Sequence, residues 1–190
     1  MSLTLLGNGV RFCLLLLNYH SAYFYNLDLG YASPEYTPTG RGFESFYGYL
    51  QGQIDYYNKT VVGGNVQQGG LDFWDASKSK NKEYRHVSRE AIGTYSLDQY
   101  ESRAHDLIIR YNATHYTAAQ RKDHPFFLYY AHQSVHIPIE ARKSEGSRCK
   151  NAGPARQTYC SMMLELDDAG VVTDRDRLRT VVGICGVEDE

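Results

Sequence analysis

A chain of 190 residues with 42% apolar and 22% charged side chains is long enough for one ordinary domain with a buried core. It is too apolar to read as disordered, and a formal net charge of −2 offers nothing that would draw nucleic acid or an anionic membrane. Seventeen tyrosines against a single tryptophan are the compositional oddity, since tyrosine's polar tip suits wet and half-buried positions alike.

Near the start, "FCLLLL" (Phe12 to Leu17) follows Arg11 and precedes "NYHSA", the outline of a signal peptide. The run is shorter than the usual hydrophobic region of about 7–15 residues. A buried strand or an irregular start reads equally well, and about twenty residues would be needed to span a bilayer. "PEYTPTGRGFESFYGYLQG" (Pro34 to Gly52) then crowds rings and glycines around a lone Arg41, which suits either a sugar-facing surface loop or a tight packing corner. Residues 30–75 as a whole read as ordered loops and short strands, with each Gly-Gly pair of "VVGGNVQQGG" a turn. "ASKSKNKEYRH" (Ala76 to His86) is polar throughout and reads as an exposed loop.

"SLDQYESRAHDLIIRYN" predicts a helix. Ser96 stands at the N-cap with Gln99 three residues on, a capping box. Leu97, Tyr100, Ala104, Leu107, Ile108 and Tyr111 make one apolar stripe. After Pro125, "FFLYYA" is an unbroken apolar run of strand length, the pattern of a strand covered on both faces in a parallel sheet. Pro138 ends regular structure. A second helix should bury Tyr159, Met162, Met163, Leu166 and Ala169, with Glu165, Asp167 and Asp168 largely on the opposite face. "TVVGIC" (Thr180 to Cys185) is a last candidate strand, and the alternation implies an α/β layered fold.

In such sheets ligands bind beyond the carboxyl ends of the strands, which directs attention to His132 and His136. H-Q-S-V-H resembles the H-E-x-x-H metal motif, but that motif needs a helix and its glutamate. Approached as a strand, four residues span roughly 13 Å, too far for one ion. His132 reads as a satisfied structural histidine, while His136, beside Ile137-Pro138, can turn its ring to a cleft. Asp167 and Asp168, adjacent on a helix, point about a hundred degrees apart and read as solvated surface. No G-x-S-x-G elbow is present. Cys13, Cys149, Cys160 and Cys185 lack C-x-x-C spacing and leave disulfide pairing open. Asn58-Lys59-Thr60 and Asn112-Ala113-Thr114 are glycosylation sequons, with Asn58 and Asn112 the acceptors.

Five segments in order, "PEYTPTGRGFESFYGYLQGQIDYY", "GGLDFWD", "YSLDQYESRAHDLIIR", "HPFFLYYAHQSVHIPIEA" and "YCSMMLELDDAG", resemble the sulfatase family, nearest its arylsulfatase B-like group. The resemblance covers about residues 29–172 and leaves 1–28 and 173–190 as divergent ends. It implies an alkaline-phosphatase-like α/β sandwich with a mixed, largely parallel sheet. It also implies sulfuric ester hydrolysis in the lysosome or outside the cell, with a sulfated sugar or aryl sulfate ester as partner. The family's nucleophile is a cysteine converted to formylglycine, and its cofactor is calcium, which neutralises the sulfate oxygens.

Residue by residue, the resemblance assigns His136 as the catalytic and substrate-binding histidine that helps the leaving oxygen depart. It places Arg41 in a corner packed on the sheet, which the arginine would anchor through hydrogen bonds, with a direct sulfate contact as the alternative. "YNLDLG" (Tyr25 to Gly30) matches the family's G-K-W-H-L-G with Asn26 for the lysine and Asp28 for the histidine, a change that would repel sulfate. None of the four cysteines is followed two places later by proline, so C-x-P-S-R is missing, and "GVEDE" does not match the D-N-G metal motif. The calcium ligands are therefore expected to be absent from this chain. The expectation is the family's middle section, inactive as a fragment. The alternatives are a non-enzymatic sulfated-glycan-binding relative and an incompletely read gene.

Overall fold

The computed structural model describes residues 20–24, 32–62, 69–79, 82–113, 117, 126–142 and 148–175. "FCLLLL", "YNLDLG" and "TVVGIC" lie outside the described residues.

Among the described residues five strands form one sheet: β1 (His20–Phe24), β2 (Ser45–Gly48), β3 (Trp74–Ser79), β4 (Lys82–Val87) and β5 (Phe126–Tyr130), in the order β4-β3-β2-β1-β5. β1 lies parallel to both neighbours, with Ala22 opposite Ser45 on one side and Leu128 on the other. The pairings β2–β3 and β3–β4 are antiparallel. The sheet is therefore mixed as expected, but not largely parallel.

The difference comes from the polar stretch read as a loop. Trp74 to Val87 is a hairpin in which Lys78 stands opposite Glu83 and Asp75 opposite His86. Ladder hydrogen bonds run the length of both strands, so a strand that buries only one face can still form. The hairpin's buried contact is small, with Ala76 set against Phe46 and Leu50 under a half-buried Trp74.

On β2, Phe46 joins that small cluster while its neighbour Tyr47 packs into the main core, the alternation a strand imposes. The main core joins Tyr49, Ile54, Tyr56 and Phe73 to Leu128 and Tyr130 of β5 and to residues of α1 (Ser96–Ala113) and α2 (Pro154–Arg175). The apolar stripe on α1 forms as predicted: Leu97, Tyr100, Ala104 and Ile108 are all buried. The capping box does not form. Ser96 gives its hydroxyl proton to Gln133 Oε1, and the Gln99 amide reaches back to the Ala91 carbonyl.

On α2, Met162 is buried as expected, but Tyr159 and Met163 are 47% and 40% exposed. Glu165, expected on the polar face, is completely buried. A bond between Cys149 and Cys160 ties the approach to α2 onto its first turns. Among the described residues no helix is long and apolar enough to cross a membrane.

The crowded segment from Pro34 to Gly52 is a packing corner. Phe43, Phe46 and Tyr49 are buried, and only Tyr36 among its rings is well exposed. Arg41 anchors it, its Nε donating to the Tyr36 carbonyl at 2.7 Å with the guanidinium over the Tyr36 ring. Gly40 is required by closeness, because a Cβ there would sit 2.2 Å from the Pro34 carbonyl oxygen.

Candidate active site

Beyond β5 the chain runs through residues 131–142 without regular structure and carries both histidines. This segment is suspended from fixed points. Gln133 is fully buried, its amide oxygen accepting from Ser96 at 2.6 Å and its amide nitrogen donating to the Ile54 carbonyl at 3.1 Å. The Tyr56 hydroxyl, also fully buried, lies 2.8 Å from the Gln133 carbonyl and 2.9 Å from the His136 carbonyl. Its ring stacks on Tyr95 at 5.4 Å. The His136 N–H closes the turn onto the Gln133 carbonyl at 2.8 Å.

The His136 ring is half-buried, with Nδ1 2.9 Å from the Ile137 carbonyl. A carbonyl only accepts, so Nδ1 carries a proton and Nε2 is the nitrogen left for a ligand. Exposed Ile137 and Ile139 flank it.

His132 has gone the other way. It is 7% exposed, it accepts the Ser134 N–H at Nδ1, and its ring stands edge-on to Tyr130. Burial holds its pKa down at about 4, so the ring is neutral at ordinary pH. Its Nε2 meets no hydrogen-bond partner among the described residues. His132 is structural, as expected, but only half satisfied.

Beneath this segment lies a buried polar junction absent from the sequence reading. Glu165 of α2 accepts from the Tyr95 hydroxyl at 2.7 Å and from the Arg142 N–H at 2.7 Å. Burial first, and then the neighbouring Glu165, push the Tyr95 hydroxyl well above its usual range. The Arg142 guanidinium in turn pairs with Asp98 at 2.6 Å and Glu101 at 3.4 Å on α1. One arginine and one glutamate thereby lock both helices to the histidine-bearing segment. The available signal was helical phase, since Glu165 lies three residues from buried Met162 and four from buried Ser161.

A cleft of about 370 Å³ opens nearby in the fold, lined among others by Tyr47, Asp75, Glu90, Asp98, Arg103 and Asp106. His136 is not among its lining residues, and four carboxylates make it a poor seat for an anion. Asp167 is exposed and Asp168 pairs with Arg148, so neither enters a site. Asn58 lies exposed in a turn, and Asn112 in the last turn of α1. Asn26 and Asp28 fall outside the described residues.

Among the described residues no three acidic, histidine or cysteine side chains gather to hold a cation. Asp72 is spent on the Leu50 and Gln51 N–H groups and the Trp74 indole, Asp75 on Arg103, and Asp98 on Arg142. The residues described do not fit a calcium site.

A family model described as Sulfatase matches residues 16–169. Arylsulfatase J of Mus musculus is 28% identical over 142 residues, which is 74% of this chain and 21% of that protein. Two solved structures, "Crystal structure of Ps i-CgsB" and the same protein "in complex with k-i-k-neocarrahexaose", superpose with a TM-score of 0.60 at 20% identity. Each superposition covers 84% of this chain and 34% of the other, and at that identity it carries the fold alone. The chain thus spans about a fifth of its curated relative and a third of its structural neighbours. With a family match running through most of its length, the chain belongs to the sulfatase family.

Proposed function

We infer that these residues form the part of an arylsulfatase-type sulfuric ester hydrolase that presents His136 to the ester. The observation that carries the reading is the His136 geometry: backbone held through Tyr56 and Gln133, Nδ1–H on the Ile137 carbonyl, Nε2 open. When the S–O bond of a sulfate ester breaks, the departing oxygen gains negative charge. A protonated Nε2 donates to it, and the Nδ1–H···O=C bond keeps the ring aimed while it does so. The mixed sheet and the structural likeness support an alkaline-phosphatase-like sandwich around this segment.

The substrate class is a sulfate ester on a sugar or an aryl group. The nucleophile and the calcium of the family have no counterpart among the residues described, and no step is assigned to them. The 190-residue chain accordingly binds sulfate weakly and does not turn esters over. The Cys149–Cys160 bond supports a secretory route, ending in the lysosome or outside the cell.

Ring-nitrogen NMR of the chain titrated with inorganic sulfate tests the assignment. The His136 Nε2 signal should move and the His132 signal should stay. Movement at His132, or no movement at His136, overturns it.

A further inference from the structure

We propose that Asn58 is an N-glycosylation acceptor and that the turn from Asp55 to Thr60 is built to present it. This stands apart from the sulfate-ester reading. The turn's folding roles are taken by other residues. The Asp55 carboxylate accepts the N–H groups of Tyr57 and Asn58 at 2.8 and 2.5 Å, and the Asp55 N–H donates to the Thr60 carbonyl. Lys59, at φ 61°, takes the left-handed position that an asparagine often fills in turns, and it sends its side chain fully into the interior. Asn58 is left exposed, its side chain making no hydrogen bond among the described residues, two positions before a threonine.

A large, hydrated substituent there projects into solvent and displaces nothing from the core. The bond between Cys149 and Cys160 is an independent sign of an oxidising compartment, where such transfer takes place.

The donor is a lipid-diphosphate-linked oligosaccharide. The Asn58 Nδ2 bonds to the anomeric carbon, the bond from that carbon to the diphosphate oxygen breaks, and the amide proton leaves as the lipid diphosphate departs. Nothing is oxidised or reduced.

The test expresses the full chain behind a cleavable secretory leader in cultured animal cells, with lysate and medium both analysed after peptide-N-glycosidase treatment. Because transfer occurs during synthesis, a variant that fails to fold is still scored in the lysate. Wild type should lose a mobility step on deglycosylation, and its peptide spanning residue 58 should carry Asp in place of Asn. Asn58→Gln and Thr60→Ala should each lose that step, and Asn112→Gln should keep it. An unmodified wild-type chain, or a peptide spanning residue 58 that keeps Asn after deglycosylation, overturns the proposal.

Discussion

Lys59 and His132 are bases carried into the interior, and both make stability depend on pH. For His132, burial lowers the native pKa from 6.5 to about 4. Below pH 6.5 the unfolded chain takes up the proton first, so its stabilising contribution is complete above that pH and drains away as pH falls towards 4. The whole effect is on the order of 3 kcal/mol, and about 2 kcal/mol of it should appear between pH 6.5 and 5. Denaturant midpoints at pH 7 and 5 should therefore separate more for wild type than for His132→Leu.

Lys59 donates to the Tyr56 and Thr94 carbonyls over the Phe73 ring, and burial lowers its pKa to about 8 against 10.5 in the open chain. Between those values the unfolded chain holds more protons, so stability should rise as pH climbs from 8 towards 10.5. Lys59→Met should remove that rise. Neither base was legible as buried from sequence. Lys59 sits in a polar turn, and only the three-dimensional path of that turn sends its side chain inward. His132 was legible as structural because it leaves an unbroken apolar strand.

The elements differ in how openly they declared themselves. α1 was plain because six apolar residues recur at helical spacing and the burial follows them. The β3–β4 hairpin was hidden because its pairing rests on ladder hydrogen bonds and not on apolar alternation. α2 was assigned the wrong inner face at Glu165, because burial of a carboxylate depends on donors brought in from Tyr95 and Arg142, far off in sequence.

That junction is expected to be costly to break. Glu165→Leu strands the Arg142 N–H and leaves the Tyr95 hydroxyl only the Glu140 carbonyl, and should cost about 1–3 kcal/mol, while Glu165→Gln, which keeps an acceptor, should cost less. Equilibrium unfolding of both variants beside wild type checks the order. The Cys149–Cys160 tie closes a short loop, so the double change Cys149→Ser with Cys160→Ser should lower stability by about 2–3 kcal/mol. Loss of a disulfide peptide linking residues 149 and 160 in a non-reducing map provides the control.

At the scale of the whole molecule, the family was legible because five segments keep their order, and the fold followed from that likeness more than from periodicity. For the candidate site, the sequence pointed to His136 alone. The residues that hold it, Tyr56, Gln133 and Ser96, come from three separate stretches, and nothing local to "HQSVHIP" announces them. Motif reading singles out the candidate histidine, whereas the scaffold that holds it is a property of the folded chain.

The central proposal is that His136 serves the leaving oxygen of a sulfate ester and that the 190-residue chain alone releases no product. Its most direct test is an aryl sulfate hydrolysis assay on the 190-residue protein with calcium present, run beside His136→Ala. Neither protein should release product above the buffer rate. Turnover by the wild-type chain that disappears in His136→Ala would contradict it.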